Sequence, residues 1–329
     1  MEFKNITKEE ILPYLRDLEP ISLASHHDAD GVYSAVLFSK VFEISDIEFP
    51  DIFGDYATSM VSLDLGQPLD ENWDGLAIDH HFHLRDEIKY KLVWDHVPTG
   101  LIVYELFKDL IPKEYSWLVA GSLVGDGQPA LIPPEVFEQH PTLLEGRASI
   151  FQSYGKTSLY EYPLYTLLAS PVNATCRTGK PYQAYRILKT CQTPDDVITH
   201  PIFIEDQETI NSEVTRILSE FGKDKSVRRS AKVIKHFLII SFESNYRIAS
   251  RVASALRSAV RNQTVICFNT KMKEISIRGD LSHWLLEKMV PLGWQIGGHP
   301  GYVGGRLLDE QEPDQFLNDL RKVLRESQI

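Results

Sequence analysis

Histidines and aspartates crowd into one short stretch of the sequence. Residues 24–35 read ASHHDADGVYSA, with two histidines and two aspartates inside five positions, ahead of an apolar, helix-like run. In extended backbone, successive side chains point to opposite sides, so His26, Asp28 and Asp30 are expected on one side. His27 then faces away. Because imidazole nitrogens and carboxylate oxygens are both metal donors, the stretch predicts half of a metal site.

More acids and histidines follow at the ends of later elements. A candidate strand over 59–66 runs into Asp64, another over 75–83 contains the sequence DHH at 79–81, and Asp126 ends a candidate helix. Each piece alone is also typical of a solvated turn or a helix cap. Gathered at one place, such carboxylates repel each other, and divalent cations remove that repulsion. Together the pieces predict a metal centre.

The elements that must position these residues alternate between strand and helix. A short apolar strand over 20–25 precedes the first cluster and a helix over 31–43 follows it, with further helices expected over 98–110 and 113–126. This alternation predicts an α/β protein with a doubly wound parallel sheet. The binding crevice of such a sheet lies at the carboxyl ends of its strands, where the acids and histidines fall.

The rest of the chain indicates a second, smaller α/β domain with a mixed sheet. A motif-poor, Pro-rich stretch follows residue 131, and a long charged helix is expected over 205–224. The remaining predicted elements are strands over 232–242, 264–269 and 273–279, helices over 246–260 and 313–326, and a Gly-rich loop over 293–307. The predicted organisation is a metal-binding domain over 1–204, a linker helix over 205–229 and a substrate-binding domain over 230–329.

Composition limits the class of partner. The 329 residues carry 43% hydrophobic and 24% charged side chains, with a formal net charge of -12. That charge disfavours sequence-independent binding of long nucleic acid, but it does not argue against binding of a small ligand that carries phosphate. No apolar run approaches the roughly 18 residues of a membrane span, and the N-terminus lacks a signal-peptide pattern. We expect a soluble, cytoplasmic protein without a membrane partner. The three scattered cysteines predict neither disulfides nor a zinc knuckle.

These motifs resemble those of the DHH phosphoesterase superfamily, which includes RecJ exonucleases and NrnA-type nanoRNases. Four motifs of the first domain carry the resemblance: HHDADG at 26–31, SLDLG at 62–66, DHH at 79–81 and VGDG at 124–127. The segment GGHPGYVGG at 297–305 resembles the Gly-His loop of the DHH-associated C-terminal domain. The stretch over 131–230 carries no motif of this kind.

The resemblance implies a site with two divalent metal ions. One ion is expected on His26, Asp28 and Asp64, and the other on Asp30, Asp64, His80 and Asp126, with Asp64 as the bridge. Asp79 and His81 are implied as the catalytic residues, His81 touching the substrate phosphate and Asp79 orienting the site. The mixed oxygen and nitrogen donor set favours Mn2+, with Mg2+, Co2+ and Zn2+ as alternatives. The resemblance assigns no role to His83, so a capping or surface histidine is expected there.

Residues of the C-terminal domain are implied to bind the substrate. They are Arg278, Gly297, Gly298, His299 and Gly304. Glycines let backbone N–H groups approach an anion, and an arginine clamps a phosphate. The sequence departs from the expected pattern at Ile296, Tyr302 and Val303, where small residues are usual, and we expect this bulk to narrow the pocket or to stack on a base.

The expected activity is hydrolysis of short nucleotides by water that two metal ions activate. Candidate substrates are nanoRNA, pAp, and linear or cyclic dinucleotides. An exonuclease on single-stranded RNA or DNA is the main alternative, with Arg228, Arg229, Lys232 and Lys235 extending a path for the strand, although a solvated charge run is the commoner explanation. A non-catalytic DHH scaffold and an inorganic pyrophosphatase are weaker alternatives. The sequence does not decide whether the protein forms a homodimer.

Overall fold

The chain divides into two compact units, Met1–Glu208 and Thr209–Ile329. The computed structural model describes residues 1–51, 54–56, 58–81, 83, 87–153, 156–223, 232–234, 236–260, 263–294, 296–299, 301–308 and 311–326. The domain boundaries expected from the sequence lie near this division. The long helix that we placed over 205–224 runs from Pro201 to Lys223.

The described strands and helices of the first unit alternate only at its start, and four strands then follow one another. The strands are β1 (Glu2–Lys4), β2 (Ile21–Ser25), β3 (Ile44–Glu48), β4 (Val61–Leu63), β5 (Leu76–Asp79), β6 (Lys91–Trp94), β7 (Gly146–Ser153) and β8 (Lys156–Pro163). The helices are α1 (Lys8–Leu18), α2 (Ala29–Ser39), α3 (Thr99–Phe107), α4 (Leu118–Gly125), α5 (Pro134–Gln139), α6 (Ala169–Arg177), α7 (Pro181–Thr190) and α8 (Pro194–Thr199). Helix α9 (Pro201–Lys223) contains the division between the two units.

The main sheet of the first unit has the strand order β3-β2-β4-β5-β6-β1. Its first five strands are parallel, and only β1 pairs in the antiparallel sense, with β6. The chain steps from β2 outward to β3 and then returns to the other side of β2 for β4. The point at which the strand order reverses therefore lies between β2 and β4, which is where such folds place their ligands.

Helix α2 is the centre of the core of this unit. Ten of its eleven residues are buried, and it packs against α3, α4 and α7. A helix that is apolar on every side has to be covered on every side, as this one is. Its N-terminus, which carries Asp28 and Asp30, is thereby fixed directly behind the carboxyl end of β2.

The second unit contains a six-stranded mixed sheet, as predicted. Its strands are β9 (Lys232–Ile234), β10 (Phe237–Phe242), β11 (Thr264–Asn269), β12 (Glu274–Arg278), β13 (Ile296–His299) and β14 (Tyr302–Arg306), and its helices are α10 (Ala249–Ala259), α11 (Ser282–Met289) and α12 (Pro313–Glu326). The strand order is β13-β14-β12-β11-β10-β9, with only β10 and β11 parallel. The α/β class expected from the sequence is confirmed for both units.

Two local predictions in the second unit are wrong. The apolar run 232–242 is two antiparallel strands, β9 and β10, and the Gly-rich segment 293–307 is a hairpin, β13 and β14, rather than a loop. Glycine has a low strand propensity, but pairing of β14 with β12 outweighs it. Gly298 is required in this hairpin, because its φ is +136° and an added Cβ would lie 2.2 Å from the Tyr302 carbonyl oxygen.

The second half of the first unit contains helices and strands that were not predicted from the sequence. The stretch after residue 131 contains α5 to α8 and the antiparallel hairpin of β7 with β8. The helix expected over 113–126 is a short 3-10 turn, Lys113–Tyr115, followed by α4. Within the described ranges, every helix is too short or too polar to cross a lipid bilayer.

Candidate metal centre

The ends of three neighbouring parallel strands come together at the point of strand reversal. The backbone N–H of His26, after β2, donates to the Leu63 carbonyl oxygen of β4 over 3.2 Å, and that of Asp64 donates to Ile78 of β5 over 3.1 Å. Asp64 itself has a φ of +64°, a left-handed conformation that aspartate tolerates better than most residues. The chain therefore turns sharply just past β4, within reach of both neighbouring strand ends.

His26, Asp28 and Asp64 form one group of ligand atoms within 4.8 Å of one another. His26 Nδ1 lies 3.0 Å from Asp28 Oδ2 and 3.7 Å from Asp64 Oδ2. Asp28 also caps α2, because its Oδ1 accepts from the Gly31 N–H over 3.0 Å. A Cβ at Gly31 would lie 2.2 Å from the His26 carbonyl oxygen, so glycine allows the helix to start this close to the strand end.

Asp30, His80 and Asp126 form a second such group. His80 Nε2 lies 3.3 Å from Asp126 Oδ2 and 3.9 Å from Asp30 Oδ2, and it is 3.1 Å from Asp64 Oδ1. One carboxylate, Asp64, thus contacts a histidine of each group, through Oδ2 to His26 and through Oδ1 to His80. The structure brings together all six residues that the resemblance implied as ligands.

The expectation that Asp28 and Asp30 lie on one side of an extended segment is wrong. We expected extended backbone through residue 30, but α2 begins at Ala29 with Asp28 as its N-cap. Asp30 lies in the first helical turn and reaches the second group, whereas Asp28 belongs to the first. The expectation that His27 stays out of the groups agrees with its hydrogen bond to the Pro50 carbonyl oxygen, 3.1 Å from Nδ1.

Asp30 is held by four donors, none of which the sequence indicated as functional. Its Oδ2 accepts from the Thr99 N–H (2.8 Å), and its Oδ1 accepts from the Gly100 N–H (3.0 Å) and from the hydroxyls of Ser122 (2.5 Å) and Ser34 (3.2 Å). The two backbone donors form the N-terminus of α3, whose dipole favours a negative charge there. Ser122 precedes Asp126 by four residues on α4, a spacing that places both on one helix face.

Asp79 holds the two histidines of the DHH sequence. Its Oδ1 accepts from the backbone N–H groups of His80 (2.6 Å) and His81 (2.8 Å) and lies 2.9 Å from His81 Nδ1. Its Oδ2 accepts from the Gly66 N–H. His83, expected as a capping or surface residue, is instead buried beside Asp79, with a side chain 3% exposed. That expectation is wrong because Tyr90 supplies the imidazole with a buried hydrogen-bond partner.

Burial and mutual repulsion set the protonation of the carboxylates. Burial, with the neighbouring charges of Asp64 and Asp28, raises the pKa of Asp30 to about 7, and burial with Asp30 raises the pKa of Asp126 well above its usual value. Burial also raises the pKa of Asp64, but contacts with His26 and His80 outweigh it and lower that pKa.

The histidines of the two groups shift in the opposite sense. Burial lowers the pKa of His26, but Asp28 and Asp64 outweigh burial, and the pKa lies well above its usual value. For His80, contacts with Asp64 and Asp126 likewise outweigh burial and raise the pKa well above the ordinary range. In the absence of a metal, protons therefore balance part of the negative charge of the cluster.

Divalent cations fit this donor set. The two groups supply four carboxylates and two imidazoles, and the accessible members are His26, Asp28 and Asp126, while Asp30 and Asp64 form the buried floor. Hard oxygen donors with two nitrogens suit Mn2+, Co2+, Zn2+ or Mg2+. The two groups can hold two ions, because each offers three ligand atoms, and Asp64 of the first group lies 3.1 Å from His80 of the second.

The residues implied for substrate binding lie around β12 and the β13–β14 hairpin. Arg278 pairs in register with Tyr302, and Gly297 with Gly304. Arg278 Nη1 donates to the carbonyl oxygens of Ile277 (3.0 Å) and Val303 (3.1 Å), and its guanidinium lies 5.1 Å from the centroid of the Tyr302 ring. The backbone of His299 pairs with Tyr302, and its side chain lies outside the described part of the structure.

The three bulky residues of the hairpin have different environments. Ile296 and Val303 are buried in the core of the second unit, whereas Tyr302 is 55% exposed. Of these three, only Tyr302 is accessible to a ligand. Of the basic residues considered for a strand path, Arg228, Arg229 and Lys235 lie outside the described residues, and Lys232 is in β9.

Comparison with known proteins supports the fold but not a substrate. No protein-family model matches the sequence, and no curated protein matches it significantly. Among solved structures, an exonuclease RecJ bound to manganese is 15% identical with a TM-score of 0.61, over 99% of this chain and 96% of that one. RecJ from Thermus thermophilus in complex with Mn2+ is 14% identical with a TM-score of 0.64, over 97% of this chain and 55% of that one.

A third similar structure is a DHH domain from a member of a family of ribosomal proteins. It is 14% identical with a TM-score of 0.56, over 98% of this chain and 90% of that one. The chain thus has the two-domain α/β fold of RecJ and of this DHH domain. The resemblance predicted from the motifs is confirmed at the level of the fold.

Proposed function

We propose that the protein is a metal-dependent phosphoesterase that hydrolyses short nucleotides. The observation that carries the proposal is the convergence of four aspartates and two histidines on the point of strand reversal, in two groups whose histidines both contact Asp64. A buried cluster of this charge is unfavourable unless cations or protons neutralise it. The RecJ structures of the same fold are described as bound to manganese, which supports a divalent ion here.

Each ligand has a proposed place. His26, Asp28 and Asp64 would hold one ion, and Asp30, Asp64, His80 and Asp126 the other, with Mn2+ the leading candidate. When bound, a pair of such ions polarises phosphoryl oxygens and lowers the pKa of water, which supplies a nucleophile near neutral pH. The chain itself supplies rigidity, since the four donors to Asp30 fix its carboxylate before any ion arrives.

The other residues bind and orient the substrate. We propose that His81, held by Asp79 over 2.9 Å, contacts a phosphate oxygen of the substrate. Arg278, whose position is fixed by two backbone carbonyl oxygens, contributes a positive charge for a second phosphate. The glycines Gly297, Gly298 and Gly304 would leave backbone groups accessible to an anion.

A nucleotide is favoured over pyrophosphate because of Tyr302. Its exposed ring beside the Arg278 guanidinium offers a surface on which a base can stack while the cation contacts a phosphate. Pyrophosphate has no group that uses such a ring. The formal charge of -12 further favours short substrates over long strands, which require many phosphate contacts.

A substrate panel tests the proposal. Purified protein is loaded with Mn2+ and given pAp, linear and cyclic dinucleotides, 5-mer and 30-mer RNA and DNA, pyrophosphate, and bis-p-nitrophenyl phosphate, with Asp64→Asn as the inactive control. We expect metal-dependent hydrolysis that is fastest on the dinucleotides or pAp and absent in the variant. No turnover of any phosphoester by the loaded wild type would favour a non-catalytic scaffold.

An exonuclease on single-stranded RNA or DNA is the second candidate. The observation that favours it is the similarity in fold to structures described as RecJ, one of them as an exonuclease. The same panel separates the two activities. If the 30-mers are degraded faster than the dinucleotides, with stepwise shortening from one end, the exonuclease replaces the short-nucleotide hydrolase.

A further inference from the structure

His83 is a buried histidine that no implied role explains. It follows the DHH sequence by two positions, and its side chain is only 3% exposed. A buried imidazole is favoured by polar groups beside both of its ring nitrogens. The described structure offers two partners: a hydrogen bond at Nδ1 and a longer, ion-pair-range contact with a carboxylate at Nε2.

The first partner is Tyr90. Its hydroxyl lies 2.6 Å from His83 Nδ1, and the two ring centroids are 5.7 Å apart. Tyr90 is itself fixed, since it is 2% exposed, packs on Trp73 and accepts a hydrogen bond from Asn5 at its backbone carbonyl. The Tyr90 hydroxyl therefore restrains the orientation of the His83 ring at its Nδ1 edge.

The second partner is Asp79, whose Oδ2 lies 3.4 Å from His83 Nε2. An ionised carboxylate only accepts hydrogen bonds, so the proton on this side of the contact belongs to Nε2. A neutral ring then has a bare Nδ1, which accepts from the Tyr90 hydroxyl. The geometry thus selects one tautomer, with Tyr90 donating to His83 and His83 directed at Asp79.

The other oxygen of the same carboxylate holds His81. Asp79 Oδ1 lies 2.9 Å from His81 Nδ1, while Oδ2 faces His83 and accepts from the Gly66 N–H. The Asp79 carboxylate accordingly lies between two imidazoles. Rotation of the carboxylate about its Cβ–Cγ bond would disturb both contacts together.

We propose that His83 is a positioning residue that, through Asp79, fixes the orientation of the His81 ring for phosphoester hydrolysis. This inference rests on the proposed function, in which His81 contacts the substrate phosphate. His83 does not contact substrate in this scheme. His83 limits the movement of Asp79 Oδ2, so that the Asp79 carboxylate holds the His81 ring in one orientation toward the substrate phosphate. Supporting residues orient ligands around metal sites in the same way.

Two isosteric variants separate this role from packing. In His83→Gln the side-chain amide nitrogen reaches the position of Nε2 and can still donate to Asp79. In His83→Asn the shorter amide can reach the Tyr90 hydroxyl but not Asp79. Tyr90→Phe removes only the hydroxyl and remains a usable third variant if His83→Asn fails to fold, which its melting curve would show.

The measurements are steady-state kinetics on the best substrate of the panel and nitrogen NMR of 15N-histidine-labelled protein, with His81 assigned through His81→Gln. We expect His83→Asn to lower kcat roughly 10- to 100-fold with little change in KM and to shift the His81 Nδ1 signal. His83→Gln should stay within about threefold of wild type with an unchanged signal, and Tyr90→Phe should fall between them.

Three results would overturn the inference. They are wild-type kinetics and an unchanged His81 signal in His83→Asn, equal losses in the Asn and Gln variants, and a change confined to KM. If the wild type turns over no substrate, the proposed function fails, but the His81 signal still decides whether His83 orients that ring.

Discussion

Asp30 in the first unit and Tyr302 in the second illustrate two ways of building a functional group. Asp30 is fully buried and receives four hydrogen bonds, whereas the Tyr302 ring is 55% exposed beside a single guanidinium. A group that must hold a cation gains from rigid placement, because a misplaced ligand loses affinity. A group that contacts a variable ligand gains from exposure. Under the proposed function, the first unit would carry the reaction and the second would contribute to recognition.

The largest predicted effect is a loss of hydrolysis on every substrate when a shared carboxylate of the first unit is removed. Asp64→Asn removes the carboxylate that both metal groups share, so we expect hydrolysis to fall by more than roughly 100-fold on every substrate, including bis-p-nitrophenyl phosphate. This exceeds the range typical of supporting residues because Asp64 is a proposed direct ligand. Initial rates at saturating Mn2+ measure the loss.

The matched control is Asp46→Asn, which removes one exposed carboxylate of β3. It should keep wild-type rates. Activity of Asp64→Asn within tenfold of wild type would mean that the buried cluster is not the reaction centre, and the contrast between the units would lose its basis.

How much of this contrast was predictable depends on the range of the interactions. Asp64 and Asp79 could be placed at strand ends because apolar runs stop there, and α12 could be placed by its amphipathic spacing. The donors to Asp30 could not, since Thr99 is 69 residues away and Ser122 is 92 residues away along the chain. Such contacts exist only once the sheet and α2 have assembled.

The glycine-rich hairpin of the second unit was missed for a similar reason. Its local signal favours a loop, and only pairing with β12, which lies well before it in the chain, makes it a pair of strands. His83 was missed because its partner Tyr90 belongs to a segment without any motif. Local patterns therefore located the acidic cluster, and contacts between distant segments supplied many of the groups that hold it.

The second prediction concerns metal and pH. In the metal-free protein the pKa of Asp30 is about 7, raised from 3.8, so folding favours its neutral form and this contribution to stability is lost as the pH rises toward 7. The raised pKa values of His26 and His80 act in the same sense, since their protonated forms stabilise the fold below about pH 6.5 and this is lost at higher pH. Mn2+ replaces these protons.

We therefore expect Mn2+ to raise the melting temperature more at pH 8 than at pH 6. At a free concentration 100 times the dissociation constant, the stabilisation is about 2.7 kcal/mol, or roughly 5 to 10 °C for a folding unit of the size of Met1–Glu208. Differential scanning calorimetry with and without Mn2+ at pH 6, 7 and 8 checks it, with Asp64→Asn as the control. A shift that is equal or larger at pH 6 contradicts the proton balance assigned to the cluster.

The third prediction concerns recognition. Arg278→Ala removes a cation whose guanidinium is fixed by two carbonyl oxygens, so we expect KM for a dinucleotide to rise roughly tenfold or more. The rate on bis-p-nitrophenyl phosphate and the affinity for Mn2+ should not change. Lys288→Ala, which removes one exposed positive charge from α11, is the matched control. An equal loss on both substrates would place Arg278 in the reaction rather than in recognition.

The smallest effect is expected at Tyr302, and it tests whether a nucleotide base stacks on the exposed ring. Loss of one stacking surface costs about 1 kcal/mol, so Tyr302→Ala should raise KM for a dinucleotide about fivefold. Tyr302→Phe keeps the ring and should match wild type. A dinucleotide analogue lacking the bases should bind all three proteins alike, and the melting temperature should not move, because the side chain is 55% exposed. If Tyr302→Phe raises KM for the dinucleotide as much as Tyr302→Ala does, the hydroxyl rather than the ring contacts the ligand, and the proposed stacking of a base is wrong.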